Sequence, residues 1–275
     1  MCIKLLDQKY SDLPIHSLCR KANSMKTLAV SAALAAVLVA GTPIAASAST
    51  AHNVVLVPGA FTDKSSWDQV AHLLREKGFK VTEVDIPLSS LDADVAATRK
   101  ALDAQKGATV LVGHSWGGVV IGEAGDNPKV KSLVYVAAFA PDKGESVQAL
   151  SSNGPPTEGL KAVRPDANGF LSVDPTAFPH VFVGDVPATE GEKLAAKQRP
   201  ISGAAFGAKA TIAAWHLKPS YYAISANDLM VPPQAEAFFA KRMNATTVTL
   251  QSSHASPVSH PEEVAALIER AAKGQ

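Results

Sequence analysis

Cysteine is almost missing from this chain: 275 residues hold two, Cys2 and Cys19, and none follows. Everything beyond Cys19 is therefore without disulfides, thiolate metal ligands or a cysteine nucleophile. Charge is scarce in the balance as well. The formal net charge is +1, which leaves no electrostatic footprint for nucleic acid or an anionic membrane surface. His, Asp and Glu nowhere fall at a convincing metal-ligand spacing, so no metal or other cofactor is expected. Internal repeats and low-complexity linkers are absent too. What is abundant is apolar side chain, at 47%, enough for one globular domain with a sizeable core.

Long hydrophobic runs are also few. The longest, LAVSAALAAVLVAG (28–41), follows Met25-Lys26 and precedes TPIAASAST. A basic start, a short apolar stretch and a small-x-small site read as a secretory signal peptide, with cleavage expected after Ala48. The competing reading, a membrane anchor, asks for a longer span and no Pro43 just behind it. Residues 1–24 stand upstream of a complete signal pattern and read as neither signal nor domain. The expected organisation is a leader and signal over 1–48 and a single domain over 49–275, secreted or periplasmic. No lipobox cysteine suggests a lipid anchor. Residues 1–48 carry five Lys/Arg and two Asp/Glu; without them 21 basic and 23 acidic residues remain, a formal net charge of −2.

From Asn53 onward apolar runs alternate with amphipathic segments. The runs are NVVLV (53–57), KVTEV (80–84), ATVLV (108–112), KSLVYVAA (131–138), SYYAIS (220–225) and TTVTL (246–250). Several are continuously apolar, as strands buried on both faces of a parallel sheet must be. Between them, Trp67, Val70, Ala71 and Leu74 recur at helical spacing, with Ser65 or Ser66 placed to cap and Gly78 to stop the helix. Segments 91–105, 232–243 and 261–272 and the stretch after Ser115 behave similarly, with Pro232 and Pro261 in first turns. The pattern predicts an α/β domain, a doubly wound, mostly parallel sheet. From about Pro141 to Trp215 the rhythm breaks, with no clean strand and aromatics at Phe170, Phe178, Phe182, Phe206 and Trp215. That is too long for a connecting loop, and a mainly helical lid over the sheet edge is the economical reading.

The third run ends in GHSWGG, a G-x-S-x-G between a buried strand and a helix. Alone the pattern is common; in that setting it reads as a nucleophile elbow, its glycines small because a Cβ would strike backbone. A serine hydroxyl needs a base, and the base an orienting acid, expected in the chain order Ser, Asp or Glu, His. SYYAIS runs into ANDLMVPP and places Asp228 at the carboxyl edge of the sheet; TTVTL runs into QSSHAS and places His254 there. Asp228 could instead be a turn residue, and His260 is the nearest rival to His254, although its place before Pro261 is explained by capping. His114 should point away from the Ser115 hydroxyl, and His52, His72, His180 and His216 read as structural or surface residues. The Trp116 amide and, after Gly59, the Ala60 amide are expected to form an oxyanion hole, Gly59 also being a possible turn glycine.

Taken together, LVPGAF, GHSWGG, NDLMVPP and SSHASPVSHPEEV resemble the α/β-hydrolase superfamily, and within it the small esterases that include plant methyl-ester esterases and hydroxynitrile lyases. The resemblance covers nearly all of 52–272. It implies Ser115 as nucleophile, His254 as base, Asp228 as acid, the Ala60 and Trp116 amides as oxyanion donors, and a helical cap after KSLVYVAA. The chain departs from the family pattern at Pro58-Gly59, where His-Gly is usual. The reading is a secreted serine hydrolase that cleaves carboxylic esters of small molecules without a cofactor, with Phe61 and Phe139 among the substrate contacts. Its rivals are a hydroxynitrile lyase, which needs an added basic group that no lysine here is placed to supply, and a non-catalytic small-ligand binder. Serine at the elbow argues against dehalogenase and epoxide hydrolase chemistry. Oligomeric state and the natural substrate stay open.

Overall fold

Six apolar segments pair side by side into one sheet. They are β1 (Asn53–Val57), β2 (Lys80–Glu83), β3 (Thr109–His114), β4 (Val130–Val136), β8 (Ser220–Ser225) and β9 (Thr246–Leu250), in the order β2-β1-β3-β4-β8-β9. Every pairing is parallel, from Asn53 against Lys80 to Ser225 against Leu250. The computed structural model describes residues 50–152 and 154–275; the leader and signal reading lies outside them. All six strands fall where the apolar runs predict them; β1, β8 and β9 match to the residue, and the ends of β2, β3 and β4 shift by one or two residues.

The period of two in a strand decides which helix each residue meets. Val54, Leu56, Val110, Val112, Val134 and Val136 share one buried cluster with Trp67, Val70, Ala71 and Leu74 and with Val264, Leu267 and Ile268. Those partners lie on and just before α1 (Asp68–Glu76), and on α11 (Pro261–Lys273). Val55, Val57, Leu111, Leu133 and Tyr135 join a second cluster containing Leu102, Val119, Val120, Ile121 and Phe239. These belong to α2 (Leu91–Asp103), α3 (Gly117–Ala124) and α9 (Pro233–Arg242). Each fully buried Val or Leu side chain stabilises by roughly 1.5–3 kcal/mol. Order reverses at β1, with β2 on one side and β3 on the other, and crevices open at such points beyond the strands' carboxyl ends.

Three local expectations are corrected. Neither Ser65 nor Ser66 caps α1: Asp63 accepts from the Ser65 amide at 2.8 Å and caps a 3-10 turn, Lys64–Trp67, which absorbs the serines. Pro232 sits at the cap of α9 and Pro233 begins it. His260 occupies the cap position of α11 without a capping bond, its ring meeting the Ser259 hydroxyl at 2.9 Å instead.

Between β4 and β8 the chain forms an insertion. Its helices are α4 (Val147–Ser151), α5 (Glu158–Ala162), α6 (Phe178–Val181), α7 (Ala188–Ala196) and α8 (Gly203–Gly207). It is not free of strands as expected. β5 (Val163–Pro165), β6 (Phe170–Val173) and β7 (Ile201–Ser202) make an antiparallel three-stranded sheet. Strands this short carry too few residues to show a period in the sequence. A 3-10 turn, Ala214–His216, precedes β8, and the short helix α10 (Ser256–Ser259) lies between β9 and α11.

Glu123, on α3, ties the far end of the insertion to the sheet. Its carboxylate accepts from the Thr211 amide at 2.8 Å, the Thr211 hydroxyl at 2.6 Å and the Ile212 amide at 2.7 Å. A Glu123→Ala variant leaves these donors without their charged acceptor and is expected to lose about 2–3 kcal/mol, read as a lower urea midpoint.

Candidate active site

β3 is buried along its whole length and ends at His114, and the chain then turns into α3 at Ser115, whose φ is +52°. That left-handed conformation is strained for serine and survives only where the surroundings impose it. The neighbouring glycines impose it. A Cβ on Gly117 would lie 2.6 Å from the Val57 carbonyl oxygen and 2.7 Å from that of Pro58, and one on Gly113 would overlap the Gly117 carbonyl. The ends of β1 and β3 therefore approach closely only without side chains there.

The turn lifts the Ser115 hydroxyl to 2.9 Å from His254 Nε2. The other ring nitrogen, Nδ1–H, donates to Asp228 Oδ2 at 2.6 Å, which fixes the tautomer and leaves Nε2 free to accept. Asp228 Oδ1 accepts from the amides of Met230 at 2.6 Å and Val231 at 2.8 Å. A carboxylate this buried is tolerable because each oxygen is bonded. Three residues from the ends of β3, β8 and β9 thus meet, as the strand ends predict.

The loops beneath are cross-linked. The Ser252 and Ser225 hydroxyls lie 3.0 Å apart, and the Asn227 amide donates to the Ser252 carbonyl at 3.0 Å. Glu236, fully buried on α9, accepts from the Ser225 amide at 3.0 Å. Burial, then the charge of Asp228, drives its pKa well above the carboxylate range. His114 does turn away from the Ser115 hydroxyl, but not to an idle place. Its Nε2–H donates to the His254 carbonyl at 2.9 Å, and the two rings lie 4.8 Å apart.

The Ala60 and Trp116 amides have no protein acceptor among the described residues. Both residues line a cavity of about 430 Å³ that also reaches Ser115 and His254. Phe61, Phe139 and Phe206 form aromatic wall, and Val147, Leu160 and Leu171 bring the insertion over it. Gln148, Ser151 and Ser152 supply a polar edge, and no Lys, Arg, Asp or Glu is among the lining residues. Of the other insertion aromatics, Phe178 and Phe182 line a separate space of about 30 Å³ behind His114. Trp116 is held from outside: its indole N–H donates to Asp94 Oδ2 at 2.8 Å, while Asp94 Oδ1 accepts from the Leu88 amide at 2.7 Å. Burial raises the Asp94 pKa against those two bonds. Asp94 and Glu236 carry no motif, their one signal being an acid between apolar neighbours; His114 lies inside the elbow motif at a position the motif leaves unspecified. No group of three or more His, Cys, Asp or Glu among the described residues could hold a metal.

Residues 54–267 match the model of the alpha/beta hydrolase family. The chain belongs to that family. This hydrolase is 30% identical over 249 residues to the alpha/beta hydrolase nvfD of Aspergillus novofumigatus, covering 80% of this chain and 96% of the relative. It is 27% identical over 247 residues to the pyrethroid hydrolase of Sphingobium wenxiniae, covering 80% and 87%. Among solved structures, an extracellular alpha/beta-hydrolase from a Paenibacillus species superposes with a TM-score of 0.70 at 20% identity, covering 80% of this chain and 99% of that one. Such relatives support ester hydrolysis as the general chemistry of this hydrolase.

Burial, then the neighbouring His254, lowers the His114 pKa from 6.5 to about 3. The folded hydrolase keeps His114 neutral where the unfolded chain takes up a proton. Its contribution to stability is therefore complete above pH 6.5 and is lost as pH falls towards 3, a change on the order of a few kcal/mol. Thermal unfolding between pH 7 and 4.5 should show a smaller fall in Tm for His114→Phe than for wild type.

Proposed function

We propose that this hydrolase cleaves carboxylic esters through an acyl-enzyme, with Ser115, His254 and Asp228 as its catalytic triad. The observation that carries the reading is the unbroken hydrogen-bond chain from the Ser115 hydroxyl through the His254 ring to Asp228, opening on a cavity with two unpartnered amides. Ser115 Oγ attacks the ester carbonyl while His254 Nε2 takes the hydroxyl proton. Asp228 stabilises the imidazolium so formed. The tetrahedral oxyanion lies against the Ala60 and Trp116 amides, where losing one donor costs roughly 10²–10³-fold in rate. The alcohol leaves with the proton from His254. Water then attacks the acyl group, again giving its proton to His254, and the acid departs as Ser115 regains its proton.

The insertion acts as a cap over this pocket. Its apolar walls and the absence of charged side chains from the lining favour uncharged, bulky esters, a class to which the pyrethroids named by one relative belong. A hydroxynitrile lyase reading gains nothing here, since no lysine lines the cavity. Export follows from the signal pattern ahead of Ala48: N-terminal sequencing of protein recovered outside the cytoplasm should begin at Ser49, and an uncleaved chain held in the cell would overturn that reading.

Ser115→Ala is expected to lower p-nitrophenyl butyrate hydrolysis by at least about 10³-fold while leaving Tm close to wild type. Equal turnover by variant and wild type would rule out Ser115 as nucleophile. Within a p-nitrophenyl series, neutral acyl chains should exceed a monosuccinyl ester by about tenfold or more in kcat/KM, because a buried carboxylate finds no Lys or Arg in this pocket.

A further inference from the structure

His254 is held by more than its ring. The residue before it, Ser253, donates from its amide to Asp185 Oδ2 at 2.8 Å and from its hydroxyl to Asp185 Oδ1. The residue after it, Ala255, donates from its amide to the Phe182 carbonyl at 3.1 Å. That carbonyl also lies 3.3 Å from the Ser253 hydroxyl. Phe182 then places its ring edge-on against the His254 ring, centroids 4.8 Å apart. Both contacts come from the segment at and just after α6, inside the insertion and remote in sequence from the β9 loop. Together with the bond from His114 to the His254 carbonyl, they fix the backbone on each side of the imidazole.

We propose that Asp185 is a positioning residue for His254: the insertion sets the base by gripping the Ser253 backbone and hydroxyl. This rests on the reading of His254 as the base. A side chain whose only task was to cap a local turn would bond within its own segment. Asp185 instead reaches 68 residues along the chain to Ser253. Burial pushes its pKa up, but the bonds from the Ser253 hydroxyl and amide and from Ser259 outweigh this and hold it below the usual aspartate value. Asp185 therefore serves as an ionised acceptor. His260, the sequence's rival to His254, stands beside the same carboxylate, with Nδ1 3.6 Å from Asp185 Oδ2. It belongs to this anchor.

The test compares wild type, Asp185→Ala, Asp185→Asn and Ser253→Ala in two measurements. One is p-nitrophenyl butyrate turnover; the other is the rate and stoichiometry of covalent labelling by an alkyl fluorophosphonate. Small displacements of a catalytic group cost heavily, so Asp185→Ala should lose about tenfold or more in kcat with KM within about twofold. It should still label to full stoichiometry, at a rate lowered by the same factor, which a partly unfolded sample cannot imitate. Asp185→Asn should recover most of the loss, because its Oδ1 can accept from the Ser253 amide and its Nδ2 can donate to the Ser253 hydroxyl. If Asp185→Ala does not fold, Ser253→Ala reads the same bond, with slower labelling at full stoichiometry. Wild-type labelling rates in folded Asp185→Ala or Ser253→Ala, with only Tm lowered, overturn the inference and leave the hydrolase reading standing. A wild-type protein inert to both ester and phosphonate removes the hydrolase reading, and this inference with it.

Discussion

The carboxyl edge of the sheet depends on one constraint, the burial of a carboxylate. Asp228 is almost fully withdrawn from water, and an ionised group there is costly unless donors surround it. Two backbone amides and the His254 ring supply them, from the turn that Asp228 itself begins and from a loop 26 residues further on. Once the ring is committed to Asp228, its second nitrogen can only accept, and the Ser115 hydroxyl is the donor within reach. The order of these bonds explains why β8 and β9 must be neighbours. A different strand order would strand the carboxylate.

A second layer keeps the first from relaxing. His114, Glu236, Asp94 and Asp185 each bond to a backbone or indole group that belongs to, or adjoins, a residue of the site. His114, Glu236 and Asp94 are buried among apolar neighbours, where an unmatched bond is expensive and a matched one rigid; Asp185 sits nearer the surface and is held by Ser253 and Ser259. Burial and the charge of Asp228 both raise the Glu236 pKa, which works against a second negative charge between the two loops. The elbow stores strain at Ser115 in the same manner: the missing Cβ atoms at Gly113 and Gly117 let strand ends close to distances that no other residue permits.

Much of this was legible in the chain because it is local. β1, β8 and β9 coincide with NVVLV, SYYAIS and TTVTL to the residue, since buried parallel strands need unbroken apolar runs and these have turn residues at their ends. Ser115, Asp228 and His254 could be named because each follows such a run directly. The rest was hidden for physical reasons. Strands of two to four residues in the insertion have no readable period, and a cap at Asp63 in place of Ser65 turns on a single 3-10 turn. Asp185 and His114 act through partners 68 and 140 residues away, and no spacing rule reaches that far. The family resemblance located the insertion without revealing what its underside holds.

Chain order carries one more consequence. Ser115 and His254 are separated by 139 residues, and the proposed base and acid, His254 and Asp228, are both synthesised after the serine. Chains emerge from the ribosome with the N-terminal part first, and a serine without its base is a feeble nucleophile. A nascent or truncated polypeptide therefore carries a harmless hydroxyl. On the proposed mechanism, reactivity waits until the last parallel strand and the loop after it have docked, so completeness of the chain is itself a safety catch.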